Sequence, residues 1–69
     1  MARAPRMVEG VAYWPFVVRF QLADGRRRVR AHWAPAYEFA RQEITRALVE
    51  RYGFDGLKPR SVTIRQVAP

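Results

Sequence analysis

The sequence contains no cysteine, a single lysine, a single histidine and no long run of apolar residues. Without cysteine, the chain cannot form disulfides or thiolate zinc sites. No apolar run approaches the roughly 20 residues that a membrane-spanning helix needs, and no apolar signal-peptide core follows the basic start of the chain. These absences predict a cytoplasmic protein that contacts no membrane and uses no metal or other cofactor.

A recognisable catalytic set is also missing. His32 is the only histidine and Ser61 the only serine, and they fall on separate predicted strands with no carboxylate placed to orient the imidazole. Asp24 and Asp55 occupy positions that are typical of turns. We therefore expect a protein that is not an enzyme.

Positive charge is the dominant feature of what the sequence does contain. The 13 basic residues outnumber the 6 acidic ones, which gives a net charge of +7. Residues 16–33 hold five arginines against Asp24, whereas residues 34–52 hold three arginines and three glutamates and are neutral. Charge concentrated on one part of a domain is typical of proteins that bind a polyanion. Twelve of the 13 basic residues are arginine and asparagine is absent, so a G+C-rich coding sequence is an alternative source of the excess.

The stretch 16–33 predicts a β-hairpin with two different faces. Two alternating runs flank Asp24-Gly25, a pair that is typical of a two-residue type I′ turn. A two-residue loop sets the register, because it pairs Ala23 with Arg26. The apolar face then pairs Phe20 with Val29, Val18 with Ala31 and Phe16 with Trp33. The polar face pairs Gln21 with Arg28, Arg19 with Arg30 and Val17 with His32.

A helix is predicted over residues 35–52. Proline at the first helical position loses no hydrogen bond, so Pro35 marks its start. Its apolar stripe comprises Tyr37, Ala40, Ile44, Ala47 and Leu48, with Tyr52 at the margin. Phe39 points away from that stripe and is a candidate contact for a partner or a second copy.

The predicted fold is one small α+β domain over residues 8–69, preceded by a mobile basic arm at residues 1–7. Strands at about 11–22, 26–33 and 61–67 and the helix give the order β-β-α-β. We expect a three-stranded sheet with the helix on one face and the other face open. A right-handed return from the helix places the last strand beside the first and parallel to it, which is analogous to a minimal β-grasp arrangement. Pairing with the second strand is the alternative.

The open sheet face is the predicted functional surface, because arginine offers a planar fork of donors for phosphates. The candidate nucleic-acid-binding residues are Arg19, Arg26, Arg28, Arg30, His32, Arg65 and Tyr13. With one aromatic residue on this face, contact with the phosphate backbone is favoured over base stacking. A charged strand face that discourages edge-to-edge aggregation is an explanation that needs no ligand.

We therefore predict a small basic module, monomeric or homodimeric, that binds DNA or RNA through phosphate contacts. The alternative is a protein-interaction or accessory module that docks an acidic partner, for which Phe39 and the sheet edge are the candidate contacts. Such small arginine-rich chains are compatible with a bacterial, phage or mobile-element origin.

Overall fold

The computed structural model describes residues 5–67, which form a small α+β domain with a four-stranded antiparallel sheet and one helix. One more strand is present than the sequence predicts. In chain order the elements are β1 (Arg6–Val8), β2 (Val11–Leu22), β3 (Arg27–Ala34), α1 (Tyr37–Tyr52) and β4 (Leu57–Gln66). Among the described residues, no helix is long and apolar enough to cross a membrane.

The strand β2 is the centre of the sheet and pairs with each of the other three strands. Both β3 and β4 run antiparallel to β2, so they are parallel to each other with β2 between them. The helix joins these two outer strands, which makes a split β-α-β unit. The prediction that the last strand lies beside the first predicted strand was confirmed, but the parallel orientation was wrong. The β-grasp analogy depended on parallel pairing of these two strands, which the structure does not have.

The additional strand β1 lies in the segment that was expected to be a mobile arm. Residues 1–4 of that arm lie outside the described residues, but Arg6 and Met7 pair with Tyr13 and Ala12. The turn to β2 is Glu9-Gly10, whose φ angles of 51° and 81° are both positive. Two positive φ angles in a two-residue loop are typical of a type I′ hairpin. The three-residue strand is too short to show an alternating pattern in the sequence.

The core lies between the even-numbered residues of β2 and one face of α1. Four even-numbered side chains of β2 are buried in this core: Phe16, Val18, Phe20 and Leu22. They pack in one cluster with Ala40, Ile44 and Leu48 of the helix and Leu57 of β4. Each fully buried side chain of the size of Phe16 or Ile44 stabilises the fold by roughly 1.5–3 kcal/mol. The predicted stripe was wrong at Tyr37, which is 47% exposed.

The helix begins two residues later than predicted. Ala36 is its N-cap, with an extended backbone at φ −156° and ψ 165°, so Pro35 precedes the helix and does not open it. Gly53 ends the helix with a φ of 72°, and its N–H donates to the carbonyl of Val49. A positive φ at the end of a helix favours glycine because it has no Cβ.

Pro15 lies inside the central strand, where a proline is unusual. It stands opposite Trp33 of β3, and its carbonyl accepts a hydrogen bond from the N–H of Val67 at 2.9 Å. The nitrogen and carbonyl of one strand residue point to the same side, so the missing N–H of Pro15 faces the end of β4. The ladder with β3 loses no hydrogen bond there, which makes the proline tolerable.

The hairpin of β2 and β3 has a loop of three residues, so the predicted two-residue turn was wrong. Leu22 pairs with Arg26, since its N–H donates to the Arg26 carbonyl and its carbonyl accepts from Gly25. Gly25 has a φ of 94°, as expected of the glycine that completes a three-residue loop. The longer loop moves the register by one residue, so that Phe16 faces His32 and Phe20 faces Arg28.

Candidate nucleic-acid interface

The register of β3 decides which of its side chains reach the open side of the sheet. Residues directly opposite each other in an antiparallel ladder share a face. Because Phe20, Val18 and Phe16 face the helix, their partners on β3 share the helix side of the sheet: Arg28, Arg30 and His32. The prediction that these three residues join Arg19 on the open face was therefore wrong. A one-residue shift exchanges the two faces of a strand completely.

On the helix side, the three predicted residues of β3 have different environments. Arg28 and Arg30 are exposed, because β3 is an outer strand and the helix covers the middle of the sheet. His32 is partly buried, and its Nε2 lies 2.7 Å from the Oε2 of Glu43 on the helix. His32 thus connects β3 to α1. The sequence had instead predicted His32 as a polar residue of the open face.

Arg26 has a local partner and lies outside the sheet. Its Nε donates to the Oδ2 of Asp24 at 2.7 Å, and its backbone N–H donates to Oδ1 of the same carboxylate at 3.0 Å. The backbone hydrogen bond from Arg26 lowers the pKa of Asp24, and the guanidinium groups of Arg26 and Arg28 lower it further. The charge of Arg26 is therefore compensated at the tip of the hairpin.

Three of the predicted residues do lie on the open face. Tyr13 and Arg19 are odd-numbered residues of β2, and they alternate with the buried even-numbered ones. Arg65 faces Val17 across the ladder between β4 and β2. Arg19 lies between Val29 of β3 and Thr63 of β4. The sequence had predicted Arg30 as its partner on β3. The open face is thus formed by the predicted strands, but by a different set of their residues.

The same shift brings an aromatic residue that the sequence assigned to the core. Trp33 is opposite Pro15 on the open side and is only partly buried. The guanidinium carbon of Arg6 on β1 lies 4.2 Å from the centroid of the Trp33 ring, which is a close cation–π contact. Tyr13 is the direct partner of Arg6 in the ladder of β1 and β2. One end of this face therefore carries two aromatic residues and one arginine.

Two further basic residues complete the surface. Arg27 faces Gln21 from β3, and Lys58 faces the same glutamine from β4. We define the open face by these eight residues: Arg6, Tyr13, Arg19, Gln21, Arg27, Trp33, Lys58 and Arg65. A shallow depression of about 450 Å³ is lined by Arg19, Gln21 and Arg27 among others.

The signs of the charges are segregated between strands and the rest of the molecule. The four strands carry eight basic residues and no carboxylate. The six acidic residues lie in turns (Glu9, Asp24 and Asp55) or on the helix (Glu38, Glu43 and Glu50). Nothing of opposite sign on these strands neutralises the open face locally, so its positive potential extends into solvent.

Comparison with known proteins adds no precedent for this arrangement. No family model, no curated protein and no solved structure matches the chain. The function must therefore be argued from the chemistry of the surface, since a fold alone does not specify function.

One signal in the sequence is compatible with the observed face. Ala23-Asp24-Gly25 fits a three-residue loop as well as Asp24-Gly25 fits a two-residue one, because glycine is typical of the last position of the longer loop. The longer loop places Arg27 and Trp33 on the open side. The alternation of β3 cannot decide between the loops, because arginine and alanine occur on both of its faces.

Proposed function

We propose that the protein binds single-stranded nucleic acid across the open face of its sheet. The observation that carries this proposal is the composition of that face, which combines five basic side chains with two aromatic rings and has no carboxylate on its strands. Single strands are bound by surfaces that combine a positive track for the backbone with aromatic rings on which bases stack.

The basic residues of the face are spread along the strands and form a track. From Tyr13 to Gln21, β2 rises by about 26 Å at about 3.3 Å per residue. Arg6 lies at the Tyr13 end, Arg65 and Arg19 lie in the middle, and Arg27 and Lys58 flank Gln21 at the other end. A single strand laid along β2 meets each of these cations in turn.

Base stacking belongs to the Trp33 end of the track. Aromatic side chains and arginine guanidinium planes both stack on bases. The Arg6 guanidinium already lies over the Trp33 ring, so a base stacks on this pair or takes the place of Arg6. The sequence favoured backbone contact over base stacking, and with Trp33 on the open face we infer that stacking adds to the backbone contacts.

Fluorescence anisotropy of a labelled single strand of about eight to twelve nucleotides tests this proposal, because the track matches about eight stacked nucleotides at ~3.4 Å each. Trp33→Ala is expected to lower the affinity by roughly 5- to 150-fold, the equivalent of ~1–3 kcal/mol per stacked base. Phe39→Ala is the matched control, since Phe39 is an exposed aromatic residue of the helix.

Equal affinities for the Trp33→Ala and Phe39→Ala variants would contradict stacking at this site. Tighter binding of a duplex of the same sequence than of the single strand would contradict the proposed mode, since a duplex leaves no base free to stack on Trp33.

A further inference from the structure

The helix carries large apolar side chains on the side that faces away from the sheet. A helix that packs on a single neighbour is normally polar on its opposite side. Here Phe39 is 54% exposed and points away from the buried Ile44, and Val49 is also offset from the core stripe. At the ends of the helix, Tyr37 and Phe54 border this outer side and are 47% and 76% exposed, and both also line a pocket that reaches Leu57 of β4. This outer side has the composition of a surface that another molecule covers.

A groove follows this side of the helix. It has a volume of about 730 Å³ and extends from Tyr37, the first helical residue, to Phe54, which follows the last turn. Gln42, Thr45 and Val49 lie between them along its length. The groove thus offers aromatic rings at its ends, and its middle combines these uncharged side chains with the charged Glu38, Arg41 and Arg46.

The charges identify the occupant of this groove. Each molecule carries a net charge of +7, so two copies repel each other over most of their surfaces. The helix is the exception, with three acidic and three basic residues, and its outer side presents Glu38 and Arg46. We propose that the outer side of α1 is a homodimer interface, where two copies pack helix against helix in antiparallel orientation.

The spacing of the charges fits the symmetry of such a dimer. In a two-fold interface, residue i meets residue j twice, because the same surface is used by both copies. Glu38 lies four residues before Gln42 and Arg46 lies four residues after it. A two-fold axis through Gln42 therefore sets Glu38 against Arg46 of the second copy at two places, and sets Phe39 against Thr45.

The interface is of modest size. A helix of 16 residues is about 24 Å long. A standard interface covers ~800 Å² on each partner, which is about 15% of the accessible surface of 5399 Å². One helix from each copy forms the proposed interface, so we place it at the lower end of that class and expect a dissociation constant in the micromolar range. This interface does not depend on nucleic-acid binding, and it leaves both open faces directed outward.

Sedimentation velocity from about 5 to 500 µM tests the dimer, because a micromolar dissociation constant lies within that range. Wild-type protein is expected to change from monomer to dimer as its concentration rises. Glu38→Arg and Arg46→Glu are each expected to weaken self-association at least about tenfold, since two like-charge contacts replace two opposite-charge contacts. An equimolar mixture of these two variants is expected to dimerise again, because both charge pairs of the mixed dimer then have opposite signs.

Glu50→Arg is the matched control for Glu38→Arg. It changes the charge equally, but its symmetry-related position would be 34, which precedes the helix. Circular dichroism melting confirms that each variant is folded. A wild-type protein that is monomeric throughout, an equal effect of Glu50→Arg, or a mixture that stays monomeric would overturn the proposal. In the first case, the groove would be left to a partner of different sequence.

Discussion

The hydroxyl of Ser61 takes the place of a backbone carbonyl as a hydrogen-bond acceptor, at the point where β4 departs from regular pairing. Arg19 pairs with Thr63 and Gln21 pairs with Lys58, so four residues of β4 lie opposite Phe20 alone. In this bulge the Ser61 hydroxyl accepts from the N–H of Gln21 at 2.8 Å and donates to the carbonyl of Lys58 at 2.6 Å. The geometry of the sheet therefore accounts for the single serine of the chain.

We expect Ser61→Ala to lower the free energy of unfolding by about 1–3 kcal/mol, because it leaves the partly buried N–H of Gln21 without an acceptor. Urea denaturation followed by circular dichroism measures this change. Ser61→Thr retains the hydroxyl and is the matched control, expected to stay close to wild type. Similar losses in the two variants would show that the hydroxyl is not what stabilises the bulge.

Residue types alone identified part of the open face. Tyr13 and Arg19 were predicted correctly because β2 is half buried, and its apolar residues mark one face without ambiguity. Trp33 was misassigned because the predicted two-residue loop set the register of β3 one residue away from the observed one. Arg28 and Arg30 were misassigned by the same one-residue shift, which no property of an individual residue reveals.

At the scale of elements, the connection between α1 and β4 is tied to the β2–β3 hairpin. The Gly56 carbonyl accepts a hydrogen bond from the N–H of Ala23 in the three-residue loop at 3.0 Å. A Cβ added at Gly56 would clash with the backbone carbonyl of Tyr52, in the last turn of the helix. The close approach of Gly56 to the last turn of the helix therefore requires glycine at this position.

We expect Gly56→Ala to destabilise the fold by about 1–3 kcal/mol, the usual cost of forcing an extra methyl group into a packed site. The thermal midpoint and the urea midpoint should both fall. Asp55→Ala changes the adjacent exposed residue and is the control, with little expected effect. Unchanged midpoints in the Gly56→Ala variant would mean that this connection moves freely.

The elements differ in how far the sequence predicts them. The helix and β2 have strong periodic patterns. By contrast, β1 has three residues, and β4 includes Pro59, a residue type that is rare inside strands. The length of the β2–β3 loop depends on long-range contacts, such as the hydrogen bond from Ala23 to Gly56. Local turn propensities cannot supply that information, and the register of β3 depended on it.

For the whole molecule, the division of charge is the main determinant of what it can bind. The sheet is basic throughout and the helix is neutral. A polyanion is attracted to the strands, and contact between two copies is least unfavourable at the helix. The two proposals therefore use opposite sides of the domain, and variants on one side leave the other available as an internal control.

The most direct test of the central claim compares two double variants with the same change in charge. Arg19→Gln with Arg65→Gln alters the open face, whereas Arg28→Gln with Arg30→Gln alters exposed residues on the helix side of the same sheet. For each protein, the affinity for a labelled single strand is measured at several salt concentrations. Circular dichroism melting shows that both remain folded.

Five phosphate contacts predict a wild-type slope of log affinity against log salt of about −3.5, at ~0.7 per contact for single strands. The open-face variant is expected to bind more weakly, with its slope reduced in magnitude by about 1.4, whereas the helix-side variant keeps a slope near that of wild type. Equal losses in both variants, or a greater loss on the helix side, would contradict the assignment of binding to the open face.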